Sequence, residues 1–251
     1  MTSAPPEPSR TTGQRIAYGA AEPQFVDFYL PTEAERPVAV AVLIHGGYWR
    51  DRFDLSLMDL LVADALGRGM AVANVEYRRM GNGGGWPTTG RDVEEAMTLV
   101  REHWREWNGV VPFISVGHSV GGQLALLNSA AADAVVALAP VTDVSRTDDE
   151  RLGEDAAVAF MGARAAELPS EYAAASPVRQ LPLGRPVLVV HGDVDSRVPV
   201  DHSRGFVGMA RAAGDVVEYR EVPGLDHVTA IDPSASHWPA AAAWMAGQTT
   251  R

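Results

Sequence analysis

The chain of 251 residues contains no cysteine. That excludes disulfides, thiolate nucleophiles and cysteine-bound zinc or iron–sulfur centres. Lysine is missing too, so all 21 basic residues are arginine. Schiff-base chemistry, a lysine general base and the lysine-dependent phosphate loop drop out with it. The 32 acidic residues bring the net charge to −11. Phosphate recognition needs clustered positive charge, so neither nucleic acid nor an anionic membrane surface is an expected partner. Long apolar runs are also scarce: "PVAVAVLI" at 37–44 is far short of the ~20 residues that span a bilayer. The opening "MTSAPPEPSRTTG" has no apolar stretch of the secretory kind, and residues 1–13 read as a flexible tail of a cytoplasmic protein. Any catalysis must come from Ser, Thr, His, Asp, Glu, Tyr or a metal.

Apolar residues make up 46% of the chain, enough for a sizeable core. Arg15–Tyr18 and the alternating "QFVDFYL" at 24–30 read as an early antiparallel strand pair. Val38–Ile44 is continuously apolar, as suits a strand buried on both faces. Further strands are expected at 70–75, 111–116, 134–138, 186–190 and 216–222. Helices are expected at 56–67, 92–107, 120–131, 201–213 and 234–247. This alternation predicts one α/β domain over 14–251, with a mostly parallel central sheet and helices on both faces. Residues 141–182 break the rhythm and form a candidate small cap.

"ISVGHSVGG" at 114–122 contains Gly117-His118-Ser119-Val120-Gly121, the pattern G-x-S-x-G. Its setting, a buried strand running into a helix, is the one in which this pattern carries a nucleophile on a sharp, strained turn. A serine hydroxyl needs a base, and the base needs an orienting acid. Of seven histidines, His45 and His118 lie inside glycine turns, His103 on a polar helix, and His202 and His237 within helices. His191 reads as a strand-end packing residue. His227, in the loop "EVPGLDHVTA" after the last strand, is the expected base. "VLVVHGDVDSRVP" at 187–199 supplies the acid: Asp195, with Asp193 the alternative that ties its loop together, and Asp143 or Asp226 more remote.

Attack by serine on a carbonyl creates an oxyanion, which preorganised backbone N–H groups stabilise by roughly 3–4 kcal/mol each. Val120, just after the serine, is one expected donor. "HGGYWR" at 45–50 supplies the others, Gly47 and Tyr48, because paired glycines let the backbone turn its N–H groups inward. Trp49, and Trp86 from "YRRMGNGGGWP", are candidate walls of the substrate pocket. No His, Asp or Glu cluster has metal-ligand spacing, and no cofactor is called for.

Taken together, "HGGYWR", "GHSVGG", "HGDVDSRVP" and "GLDH", in that order, resemble the α/β-hydrolase fold over nearly the whole chain. "HGGYW" with "GHSVGG" resembles the arylformamidase (kynurenine formamidase) and esterase/lipase-like branch. That resemblance implies a serine hydrolase acting on a small carboxylic ester or aryl formamide. A peptidase of the same fold, or a catalytically silent binding protein on the scaffold, are the competing readings.

Overall fold

The computed structural model describes residues 13–31 and 36–250. Apart from Gly13, the tail read over 1–13 lies outside them. The strands are β1 (Gln14–Ala17), β2 (Phe25–Tyr29), β3 (Val40–Ile44), β4 (Ala71–Val75), β5 (Phe113–His118), β6 (Ala134–Leu138), β7 (Val187–Gly192) and β8 (Val217–Val222). They form one sheet in the order β1-β2-β4-β3-β5-β6-β7-β8. β1 and β2, and β2 and β4, pair antiparallel; every other neighbour is parallel.

The four central strands β3 to β6 are buried along their whole length. Their residues alternate between two apolar layers. Val40, Val42 and Ile44 pack beneath α2 (Thr88–His103), α3 (Val120–Leu127) and α7 (Asp201–Ala212). Ala41 and Leu43 face α1 (Asp59–Gly67) and α8 (Trp238–Ala246). A parallel sheet covered on both faces leaves no polar alternation to read, which is why these strands are continuous apolar runs. No helix of the described residues is long and apolar enough to cross a membrane.

The insertion between β6 and β7 carries α4 (Val144–Asp149), α5 (Leu152–Met161) and α6 (Pro169–Ala175). It has its own apolar cluster with Trp49, Val120 and Val198, so it sits on the loops that follow β3, β5 and β7.

Three helix starts differ from expectation. α1 begins at Asp59 rather than Ser56, because Leu55–Met58 form a 3-10 turn that Asp54 caps by accepting from the Ser56 N–H. α2 begins at Thr88 rather than Asp92. Asp92 is not a helix-opening acid: it is fully buried. Its carboxylate accepts hydrogen bonds from the Arg78 N–H, the Arg78 guanidinium and Gln24. α8 begins at Trp238 rather than Ser234, because Asp232 accepts from the Ser234 N–H and hydroxyl and holds that stretch in a turn.

The crossing of β5 and α3 is tight. A Cβ on Gly117 would collide with the backbone of Gly121, and one on Gly121 with the carbonyl oxygens of Ile44 and His45. Gly121→Ala is therefore expected to cost on the order of 3 kcal/mol, read as a lower urea midpoint at unchanged slope.

Candidate active site

Ser119 sits between β5 and α3 with φ 58° and ψ −120°. A non-glycine residue held there costs about 1–3 kcal/mol and persists only where its surroundings impose it. Here they do. The Ser119 N–H donates to Leu138 O at 2.9 Å, and Ser119 O accepts from the N–H groups of Gly122 and Val141. The glycines on either side admit the neighbouring backbone.

Ser119 and His227 line one cavity of about 220 Å3, together with Gly47, Tyr48 and His118. Behind His227, its Nδ1–H donates to Asp195 Oδ2 at 2.6 Å. The other carboxylate oxygen, Oδ1, accepts from the N–H groups of Arg197 and Val198. The Asp195 carboxylate has no solvent exposure. Burial opposes its charge, but the hydrogen bonds from His191 and His227 and the charge of His227 outweigh that and hold it well below the usual carboxylate range.

His191 is more than the packing residue expected of it. Its Nε2 lies 3.1 Å from Asp195 Oδ2 and 2.9 Å from Val198 O. Both partners accept, so Nε2 carries the proton. Nδ1 is then the acceptor for the Ser203 hydroxyl at 2.7 Å. His118 Nε2–H donates to the carbonyl of His227 at 2.9 Å and pins that loop. The role of His118 has no signal in the sequence, since it requires loops far apart in the chain to meet, whereas the partners of His191 all lie within the following 12 residues.

The alternative acids are occupied elsewhere. Asp193 accepts from Gly224 N–H in the neighbouring loop rather than within its own. Asp143 caps α4, and Asp226 accepts from the N–H groups of Val228 and Thr229.

Gly47, Tyr48 and Trp49 all have positive φ. A side chain on Gly47 would strike Phe53, so this position requires glycine. Among the described residues, no backbone hydrogen bond uses the N–H of Gly47, Tyr48 or Val120. The turn is anchored from beneath by a buried polar cluster. His45 Nε2 and Arg79 meet Glu76, which also accepts from the N–H groups of Leu55 and Tyr77. His45 stacks on Tyr77, whose hydroxyl donates to His45 O.

The two tryptophans do not wall the cavity. Trp49 is fully buried: it stacks on Phe160 of α5 at 4.5 Å and donates from Nε1 to Gln123. Its left-handed backbone turns the ring down into the insertion's core. Trp86 lies against the outer edge of Phe160 and lines a separate surface depression with Gly90 and Arg91. The walls are instead Phe53, Leu57, Val228 and Ile231, with Arg52 and Arg197. Arg52 and Phe53 follow "HGGYWR" after a single residue, Asp51, and could have been read as part of that loop; Leu57 and Ile231 could not.

This arrangement defines the class: the chain has the α/β-hydrolase fold. The BD-FAE family matches residues 26–134. Among curated proteins, the chain is similar to Esterase LipC of Mycobacterium tuberculosis, 26% identical over 246 residues that cover 85% of this chain and 59% of LipC. Esterase LipQ of the same organism is 31% identical over 163 residues, covering 57% of this chain and 39% of LipQ. The chain thus spans roughly half the length of these relatives. Among solved structures, a truncated carbohydrate esterase from gut microbiota superposes with TM-score 0.82 at 20% identity, covering 97% of this chain and 98% of that one. Thermogutta terrifontis esterase 2, phosphonylated by sarin, gives 0.73 at 22% identity, covering 91% and 89%.

Burial holds His45 and His118 far below the ordinary histidine value, each at about 3; the charges of Arg79 and His227, respectively, add to the effect. Below pH 6.5 the unfolded chain takes up protons that these folded histidines refuse. Stability is therefore expected to fall between pH 7 and pH 5, by about 2 kcal/mol for each of the two, as measured by urea unfolding at both pH values.

Proposed function

We propose that the protein is a serine hydrolase that cleaves a small carboxylic ester or aryl formamide through an acyl-enzyme on Ser119. The observation that carries this reading is the 2.6 Å bond to a buried, charged Asp195 from His227, which lines the same cavity as Ser119, itself held at positive φ. The esterase names of LipC and LipQ support it.

His227 takes the Ser119 proton as the oxygen attacks the carbonyl carbon. The N–H groups of Gly47, Tyr48 and Val120 receive the oxyanion. As the tetrahedral intermediate collapses, His227 passes the proton to the departing alkoxide or amine. Water then enters, gives a proton to the same histidine, and attacks the acyl carbon; collapse returns that proton to Ser119 and frees the acid. Asp195 keeps Nδ1 protonated, so Nε2 is the working nitrogen, and stabilises the imidazolium. The wall of Phe53, Leu57, Val228 and Ile231 and the volume of about 220 Å3 suit a short acyl group. The ester is the more reactive of the two substrate types, and the "HGGYW" resemblance is what keeps the formamide in view.

The test is kcat/KM on p-nitrophenyl acetate and on N-formyl-kynurenine, side by side, with Ser119→Ala as blank. Turnover of either, lost in Ser119→Ala, is the expected result. Preference for the formamide would assign the arylformamidase activity, and ester turnover alone would assign a carboxylesterase. Turnover of neither by the folded protein refutes the proposal. Asp195→Asn is expected to lower kcat by about 10³- to 10⁴-fold, while Asp193→Asn stays within about threefold; the reverse ranking would move the acid to Asp193.

A further inference from the structure

The protein carries a net charge of −11, yet among the described residues no aspartate or glutamate lines the cavity that holds Ser119 and His227. The charged residues that do line it are both arginines, Arg52 and Arg197. They arrive from different loops, one after β3 and one after β7. Among the described residues, neither guanidinium has a hydrogen bond or an ion pair; Arg52 only approaches the Phe53 ring at 5.0 Å. Ten other arginines have a carboxylate partner; what sets Arg52 and Arg197 apart from the remaining ones is their place in the cavity.

Carboxylates on the same or adjoining segments are turned to other tasks. Asp195 serves His227. Asp226 is tied to its own loop. Glu154 pairs with Arg50. Asp51 opens onto a separate depression with Glu22, Asp54 and Glu76. The Arg197 loop is held in place as well: its carbonyl accepts the Tyr48 hydroxyl at 2.8 Å, and its N–H donates to Asp195. One guanidinium thus stands on a backbone that is coupled to the acid and to an expected oxyanion donor.

Resting on the hydrolase reading above, we infer that the substrate carries a carboxylate, at the end of its acyl or leaving group remote from the scissile carbonyl, and that Arg52 and Arg197 receive it. A planar guanidinium fork is suited to that group, and charges of one sign lining an apolar-walled cavity focus their field there. The uncharged part of the substrate contacts the apolar wall. The arginines act by binding, so the preference resides mainly in KM and weakens with salt.

Two matched pairs test this: 4-acetoxybenzoate against 4-acetoxybenzamide, and monophenyl adipate against its terminal carboxamide. Each kcat/KM is divided by the rate of the same ester with free imidazole. The anionic member of at least one pair is expected to be favoured about tenfold at low ionic strength. That ratio should fall toward 1 in 0.5 M salt, where charges are screened within ~4 Å, and in the double variant Arg52→Gln/Arg197→Gln. Arg91→Gln, on another face, changes the net charge in the same direction and should keep the ratio. If both esters of each pair are hydrolysed with ratios at or below 1 in the unaltered protein, the inference is overturned while the hydrolase reading stands. A preference that survives the double variant equally overturns it. If none of the four esters is hydrolysed by the folded protein, both the inference and the ester reading fall.

Discussion

A serine forced into left-handed backbone at the junction of a buried strand and a helix is the constraint around which this molecule is arranged. At φ 58° Ser119 cannot pay for its conformation locally. Its amide and carbonyl are held by Leu138, Gly122 and Val141, so β6 and the segment after it must lie alongside. Gly121 must lack a side chain because α3 passes over the carbonyls of Ile44 and His45, and Gly117 because the backbone of Gly121 lies against it. The same contact brings the turn after β3 against the serine. Geometry at one residue therefore dictates the approach of three strand ends.

The turn over the serine is supported from below by charge. Glu76, Arg79 and His45 are buried together. Such a cluster is tolerable only because the carboxylate has donors on both oxygens. It holds Gly46 to Trp49 in a shape their own preferences would not choose, with three successive positive φ values. From above, Trp49 is gripped by Phe160 and Gln123, and Arg50 reaches Gly153 O at 2.5 Å. The insertion thus contacts the back of the turn, and none of the cavity's lining comes from 141–182.

Across the cavity, the Ser203–His191–Asp195–His227 chain of hydrogen bonds spans the loops after β7 and β8. Asp195 stays charged while buried because donors surround it. The His227 main chain is held separately by His118, the residue preceding Ser119. His227 and Ser119 are therefore linked through backbone as well as through the cavity they share.

By itself the sequence determined the alternation of elements, because strands buried on both faces must be continuously apolar. It also marked the serine turn, since only glycine permits the close crossing there. The pairing of Asp195 with His227 was legible from their places after β7 and β8. The direction of Trp49 and Trp86 was not, because a tryptophan beside a glycine turn can go to either side, and the positive φ of Trp49 sends its ring into the insertion. Nor was the start of α2, where Asp92 is an anchor for Arg78 rather than a helix opener. Only tertiary structure decided that His118 holds the His227 loop, that Leu57 and Ile231 line the cavity, and that Arg52 and Arg197 line it with them. Each depends on segments dozens of residues apart meeting at the carboxyl ends of the strands, and no local pattern encodes such a meeting.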